Sequence, residues 1–416
     1  MKNFNLYRLL LAIGPGIFAI GYTIGTGSVT SMIVAGSKYG MQLLWVLLLS
    51  CFFSWVLMEA YGRYALVTGQ TALFGFKKNL KYGKIISILI IIGITIGQWN
   101  SLIGILGISA NAIFETLAIF FPWLKDNQYL AVLLLAIVII GIMYLLLLQG
   151  TYSIFERVLI FFVTLMGLSF VMSFFMVLPQ PSEIVKGLLP SIPQVKGGKM
   201  LVAAFVGTTM ASATFLSRPL FLQGKGWNKD NLKDQSRDAA TAAILIFCIS
   251  GAIMAVAMGA FFHDGIAVTR VLDMVNTLEP IAGKMAVSVF LLGTLSAGLS
   301  SIFPILMIAP MLIADYQSGV LDTKSKQFKI LTLIACVIGL TVPVFGANPI
   351  NAQILSQVFN VFVLPLVVLG IFLLVNNQAL MGANKAGFKL NTGIVGAFIF
   401  SILISYNGVI GIINNF

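Results

Sequence analysis

Ionisable residues are scarce in this chain. Of its 416 residues only 9% are charged, and they include 13 aspartates and glutamates, against a single histidine and three cysteines. So small a charged fraction excludes an ordinary soluble globular protein. Cys51, Cys248 and Cys336 all fall within apolar runs, where a buried thiol is expected rather than a disulfide or a metal cluster. The histidine, His263, stands beside Asp264 in a predicted loop, where we expect a solvated surface role.

Groupings of catalytic residues are also lacking. The sequence has no paired carboxylates, no nucleophile placed near a histidine, and no glycine-rich phosphate loop that ends in Gly-Lys-Ser/Thr. We therefore expect neither an enzyme nor a bound cofactor.

Hydrophobic residues are abundant: they make up 59% of the chain, and the mean hydropathy is +1.01. About 20 apolar residues are needed to cross a bilayer as a helix, and continuous runs of this length favour helices over a barrel. The sequence therefore predicts an all-α integral membrane protein. Its eleven transmembrane helices are expected at about 9–34, 41–66, 84–113, 129–149, 154–177, 200–223, 239–262, 282–313, 328–347, 350–375 and 391–413.

Positive charge is distributed unevenly between the two sides of the predicted spans. With a cytoplasmic N-terminus, seventeen of the 25 lysines and arginines fall on the inner side and seven on the outer side, while Arg218 lies within a span. The positive-inside rule thus predicts a cytoplasmic N-terminus and an outer C-terminus, and we expect a location in the bacterial inner membrane. The net charge of +12 is explained by topology and lipid contact, so no nucleic acid partner is expected.

Small and hydroxylated residues interrupt two of the apolar runs. The first run contains Gly-Thr-Gly-Ser at 25–28, and the sixth contains Gly-Thr-Thr-Met-Ala-Ser at 207–212. Unwound turns free backbone N–H and C=O groups, which are costly in lipid but useful beside a polar cavity. Matched breaks in the first and sixth spans are typical of transporters built from two inverted five-helix repeats. The alternative is that these small residues only allow close helix packing.

One membrane domain, residues 1–416, is expected because no polar connection is long enough to form a core of its own. Within it we predict a first repeat at about 1–177, a second at about 200–375, and an eleventh helix at about 391–413.

Several short motifs, in their order and spacing, resemble those of one transporter family. The chain resembles the NRAMP divalent-metal transporters, a branch of the superfamily with the LeuT-type fold. The resemblance implies eleven helices, inverted repeats with helices 1 and 6 broken at the midplane, and secondary-active transport. It rests on Gly14-Pro15-Gly16, residues 35–40 (AGSKYG), 43–50 (LLWVLLLS), 67–69 (VTG), 186–193 (KGLLPSIP), 297–301 (AGLSS), 355–358 (LSQV), 364–365 (LP) and 380–382 (LMG).

The motifs that bind metal in this family are altered here. The family's Asp-Pro-Gly-Asn in the first span corresponds to Gly-Thr-Gly-Ser at 25–28, and its Met-Pro-His in the sixth corresponds to Ala-Ser-Ala at 211–213. The backbone carbonyl of the site falls on Thr208, and Arg218 replaces a second histidine. Moving the alignment by one residue puts Met210 at the methionine position.

Neither broken helix therefore carries a carboxylate, and a dehydrated divalent cation would lack its strongest ligands. We expect no metal site, and a small organic or anionic solute as the substrate. A divalent cation carrier of altered selectivity, for example for hydrated Mg²⁺, and a channel or sensing protein remain open as alternatives. The expected substrate-binding residues are Gly25, Thr26, Gly27, Ser28, Thr208, Thr209, Ala211, Ser212 and Gln357, the last matching a glutamine of the family's tenth helix.

Coupling and gating residues are also suggested by the resemblance. Ser300 and Ser301 resemble hydroxyls that help hold sodium in other members of the superfamily, although they also suit helix packing. Residues 98–101 (Gln-Trp-Asn-Ser) stand where acidic residues are expected, which disfavours proton coupling without excluding Na⁺ or H⁺. Arg218 either extends to the inner interface or takes part in gating, with Glu59 or Glu156 as its partner.

Overall fold

The computed structural model describes residues 14–149, 152–177, 181–191, 198–262, 265, 268, 271–345 and 349–413, so His263 and Asp264 lie outside it. Its regular structure is helical throughout. The α-helices are α1 (Gly16–Thr23), α2 (Thr26–Tyr39), α3 (Leu44–Thr68), α4 (Ala72–Asn79), α5 (Gly83–Phe120), α6 (Gln128–Gln149), α7 (Tyr152–Val177), α8 (Pro181–Lys186), α9 (Gly198–Thr209), α10 (Ser212–Gly224), α11 (Leu232–Ala257), α12 (Val271–Gln317), α13 (Lys326–Gly339), α14 (Thr341–Phe345), α15 (Pro349–Val375), α16 (Gln378–Met381) and α17 (Phe388–Ile413).

Up to eleven membrane spans occur among the described residues. Ten helical segments of the described residues are long and apolar enough to cross a membrane, and the bent pair α1 and α2 makes an eleventh. The predicted all-α membrane architecture is therefore confirmed. The helix that carries the eighth span, α12, begins at Val271, earlier than the predicted start near residue 282, whereas its apolar segment begins at Val287. The charged residues that indicated a loop there lie on a helix longer than the bilayer requires.

The first span is broken at Ile24 and Gly25. Ile24 leaves the helical region with φ −93° and ψ 64°, and Gly25 is extended with φ −93° and ψ −173°. The axes of α1 and α2 consequently meet at 52°. The sixth span is interrupted at Met210 and Ala211, where Ala211 has a ψ of 115°. The second break falls within the predicted stretch 207–212, and the first begins one residue before the predicted stretch 25–28.

The two broken spans lie at the centre of the helix bundle. In the sixth span 94% of the most apolar stretch is buried within the protein, against 28% in the eleventh span. Every residue of α1 is buried. The outer spans therefore meet the lipid, and the broken ones are surrounded by protein, which is where an unwound backbone is tolerated. The division into repeats at 1–177 and 200–375 stays a prediction.

Candidate functional site

A small cavity lies between the two helix breaks. Its volume is about 10 Å³, roughly what one water molecule needs by this measure. The breaks supply Gly25, Gly27, Thr208 and Ala211 to its wall, all of which were predicted as substrate-binding residues. Helices α5, α12 and α15 close the other side. They contribute Gln98, Ser101, Ile105, Ser301, Ile305 and Gln357, and α1 adds Tyr22.

The glycines of the first break are required by close approach. A side chain at Gly25 would collide with the Ser301 hydroxyl of α12. A Cβ atom at Gly27 would lie 2.5 Å from Nε2 of Gln357 and 2.6 Å from Nε2 of Gln353. A larger residue would require the Ser301 side chain to move at position 25, and the amides of Gln353 and Gln357 to move at position 27, so both glycines keep the cavity wall as it is.

Two hydroxyl groups of the cavity wall donate to the backbone of α1. The Ser301 hydroxyl donates to the Gly21 carbonyl at 2.8 Å, and the Thr208 hydroxyl donates to the Thr23 carbonyl at 3.2 Å. Since each hydroxyl has one hydrogen, only oxygen lone pairs remain for a solute. The second of these bonds also joins the two broken spans to each other.

The other predicted hydroxyls are arranged differently. The Ser28 hydroxyl lies 3.3 Å from that of Ser250 on α11, and the Thr209 hydroxyl donates to its own helix at Phe205. Neither residue lines the cavity, so their expected contact with solute gains no support. Thr26 and Ser212 are buried, and their hydroxyls have no hydrogen-bond partner among the described residues.

Side-chain amides of α5 and α15 form a connected chain beside the cavity. Nε2 of Gln98 donates to Oδ1 of Asn360 at 2.8 Å, and Nδ2 of Asn360 donates to Oε1 of Gln357 at 3.0 Å. Nε2 of Gln357 then donates to the Ser101 hydroxyl at 3.0 Å. Nε2 of Gln353 reaches the same hydroxyl at 2.9 Å. All five side chains are buried.

Neutral groups alone form the cavity wall. Helices α2 and α10 begin at the breaks, and neither N-terminus is capped by a side chain, so their partial positive charge is directed at the cavity. Across the described residues, no three or more His, Cys, Asp or Glu side chains are grouped so that they could hold a metal. A bare divalent cation would therefore find oxygen dipoles here but no compensating charge.

A buried ionic cluster lies at the end of the bundle where α1 begins. Nη2 of Arg218 is 2.7 Å from Oδ2 of Asp238, and both side chains are at most 2% exposed. The same nitrogen is 2.7 Å from Oε1 of Gln235, whose Nε2 donates to Oε2 of Glu59 at 3.0 Å. The other Asp238 oxygen accepts the Gly16 N–H at 3.0 Å.

The location of Arg218 corrects one expectation. The side chain is not extended toward solvent, because it is buried in the protein, where it donates to Asp238 and Gln235. Glu59 is connected to it only through Gln235, and Glu156 pairs with Lys225 instead. The sequence missed Asp238 because the seventh span was predicted to begin one residue later, whereas α11 begins at Leu232.

Several cavity residues were not predicted. Tyr22, Ile105 and Ile305 carry no signal that separates them from the apolar residues around them. Gln98 and Ser101 carry such a signal, since two polar side chains three residues apart in an apolar span lie on one face of a helix. That pattern could have placed α5 at the site.

Comparison with known proteins identifies the family. The sequence model of the Nramp family, described as natural resistance-associated macrophage protein-like, matches residues 16–411. The chain belongs to the Nramp family. A relative of this Nramp protein in Vibrio campbellii, named divalent metal cation transporter MntH, is 25% identical over 406 residues. The match covers 96% of the present chain and 91% of the relative.

Solved structures share the fold of this Nramp protein. The Eremococcus coleocola manganese transporter, solved with a bis-isothiourea compound, superposes with a TM-score of 0.74 at 16% identity, over 99% of this chain and 88% of that one. MhsT in complex with L-phenylalanine gives a TM-score of 0.64 at 14% identity, over 97% and 98% of the two chains. These likenesses show the LeuT-type fold that the resemblance implied. Membership of the Nramp family makes the protein a membrane transporter.

Proposed function

We propose that this Nramp protein carries a divalent cation by alternating access, and that the ion keeps most of its water ligands at the site. Mg²⁺ fits best, because it prefers oxygen ligands and gives up water reluctantly. The name of the Vibrio relative, a divalent metal cation transporter, supports a cation. We therefore replace the expected organic or anionic solute by the divalent cation that the sequence left open as an alternative.

This proposal rests on the direction of the hydrogen bonds that two hydroxyl groups of the cavity wall make. The hydroxyl groups of Thr208 and Ser301 donate their hydrogens to carbonyls of α1, so toward a solute both can act only as hydrogen-bond acceptors. Water bound to a cation presents its hydrogens outward and needs such acceptors. Transition metals would favour imidazole, thiolate or thioether ligands, and none of these lines the cavity.

The small cavity volume fits a closed state of the transport cycle. Space for about one water molecule is too little for a cation with its water shell. The broken spans must therefore move away from α5, α12 and α15 for loading. This movement is what alternating access requires.

Uptake into liposomes tests the proposal. We expect saturable Mg²⁺ uptake by the purified protein, with competition by the exchange-inert hexaamminecobalt(III) ion, which imitates a hydrated cation. Thr208→Val should raise the KM for Mg²⁺ about fivefold, the effect of one hydrogen bond. Thr392→Val is the matched control, because that exposed hydroxyl bonds only within α17. Competition by Mn²⁺ without competition by the hexaammine would show that a dehydrated ion binds.

A solute with a negative group is the second candidate, and one observation favours it. The NH₂ groups of Gln353 and Gln357 lie against Gly27, next to the uncapped N-terminus of α2. Donors gathered in this way suit a carboxylate. Thermal stabilisation by amino acids or organic anions, in a protein that takes up no divalent cation, would favour this candidate.

The ionic cluster is proposed as the gate on one side of the membrane. Asp238 of α11 links the start of α1 to Arg218 of α10, so separating α1 from α10 breaks at least one of its two bonds. With a cytoplasmic N-terminus, this gate closes the inner side. Glu59 is bonded to the cluster through Gln235. Lys225, which follows α10 and therefore lies close to Arg218 along the chain, pairs with Glu156 and forms a second contact.

Sodium coupling is proposed for the contact between α1 and α12. Besides the Ser301 bond to Gly21, the Ser300 hydroxyl donates to the Ala297 carbonyl at 3.0 Å. Two hydroxyls and two carbonyls are the neutral oxygens that such transporters use for Na⁺. An inward Na⁺ gradient should then accelerate uptake, and Ser300→Ala should abolish the acceleration. Acceleration by a proton gradient alone would contradict this assignment.

A further inference from the structure

The amide chain beside the cavity has a direction. Running from Gln98 through Asn360 and Gln357 to Ser101, every amide nitrogen donates toward the next residue. The Gln357 oxygen is consequently turned toward Asn360, and its NH₂ group is turned toward Ser101 and Gly27. In this direction Gln357 offers hydrogens to the cavity, which a cation and its water ligands cannot use.

Reversing the chain costs no hydrogen bond. If each amide turns over, the Ser101 hydroxyl donates to Gln357, Gln357 donates to Asn360, and Asn360 donates to Gln98. Each amide has both a donor and an acceptor end, so all three links of the chain survive. Ser101 now accepts hydrogens from both Gln357 and Gln353, and after reversal it would accept only the second. The chain therefore has two arrangements with the same number of bonds.

We propose that Asn360 is a positioning residue that decides which end of the Gln357 amide faces the cavity, and that reversal of the chain presents the Gln357 oxygen to the cation. This inference rests on the proposed function. Asn360 is 3% exposed and does not line the cavity, so it acts through Gln357. The reversed direction adds a third acceptor beside Thr208 and Ser301.

Asn360→Asp tests the proposal with almost no change of size. An ionised aspartate still accepts the Gln98 hydrogen but cannot donate to Gln357, so the Gln357 amide must turn over. We expect the KM for Mg²⁺ to fall about fivefold, as for one gained hydrogen bond. The control is Asn376→Asp at the end of the same span, where Asn376 exchanges two bonds with Asn391 far from the cavity. Its KM should not change.

A double-mutant cycle separates positioning from the added charge. In a Gln357→Leu background, Asn360→Asp has no amide to turn, so its effect on KM should vanish. The charge itself would act equally in both backgrounds. Calorimetric titration of the purified proteins with Mg²⁺ gives the same comparison where uptake is too slow, and thermal unfolding shows that each variant is folded.

Each outcome has a definite meaning. A fivefold lower KM that depends on Gln357 supports the inference. An unchanged KM in Asn360→Asp, or an equal shift in both backgrounds, overturns it while Mg²⁺ transport stands. A wild-type protein that moves no divalent cation overturns the proposed function, and this inference with it.

Discussion

At the scale of single residues, space decides the chemistry of the first break. Ser301 lies so close to Gly25 that any side chain at this position would collide with it. The family resemblance places an aspartate here, but the packing of α12 leaves no room for one. An aspartate at this position would require Ser301 to move.

Replacement of Gly25 tests this argument. Gly25→Ala should reduce uptake at least tenfold, because the new methyl group displaces Ser301 from its bond to Gly21. The initial rate of uptake in liposomes measures the effect. Gly141→Ala on α6 is the matched control, since a Cβ atom there meets nothing within 4 Å. Full activity of Gly25→Ala would show that the contact has no role in transport.

The sequence could predict which residues approach the cavity better than what they do there. Gly25, Gly27, Thr208 and Ala211 follow from the positions of the breaks alone. The direction of a hydroxyl group's hydrogen bond does not follow from those positions, because it depends on which carbonyl a neighbouring helix presents. Ser28 illustrates this, as its hydroxyl is turned to Ser250 on a helix more than 200 residues away in sequence.

At the scale of helices, a stacked aromatic pair joins two of the helices that the ionic cluster also joins. The rings of Phe18 on α1 and Phe221 on α10 stack with centroids 3.9 Å apart. Asp238 of α11 also joins α1 to α10, through its bonds to Gly16 and Arg218. Separating α1 from α10 would therefore part the stacked rings and break at least one of these two bonds of Asp238.

Neutralising Asp238 should weaken this contact strongly. Asp238→Asn leaves the buried Arg218 without its anion, and we expect a loss of about 3–5 kcal/mol in stability, measured by thermal unfolding in detergent. Lys225→Gln serves as the control, because its pair with Glu156 is partly exposed and should matter less. Replacing both Arg218 and Asp238 by leucine should restore most of the stability. An unstable double variant would contradict the electrostatic explanation.

The span pattern was predictable because hydropathy alone reports it, and among the described residues the ten apolar spans and the bent pair α1 and α2 overlap the predicted apolar runs. The partner of Arg218 was not predictable, since Asp238 lies within the polar first turns of α11, which contribute no hydropathy signal. A pattern that counts apolar residues does not detect polar helix ends that lie inside a bundle.

At the scale of the whole molecule, the uneven distribution of lysine and arginine predicts the orientation. With seventeen basic residues assigned to the inner side and seven to the outer, the C-terminus should face outward. A cysteine added after Phe416, in a variant without the three native cysteines, should react with a membrane-impermeant maleimide in intact cells. Labelling only after lysis would show that the orientation is the opposite one, and the ionic cluster would then be assigned to the outer side.

The bond from Thr208 to Thr23 has a consequence for the membrane as a barrier. Because Thr208 of one interrupted span donates to Thr23 of the other, a movement of either span alone would break this bond. We therefore expect the two spans to move together, so that the cavity opens to one side of the membrane at a time. In that case the hydroxyl that we expect to meet the cation also helps to prevent a leak of the cell's ionic gradients.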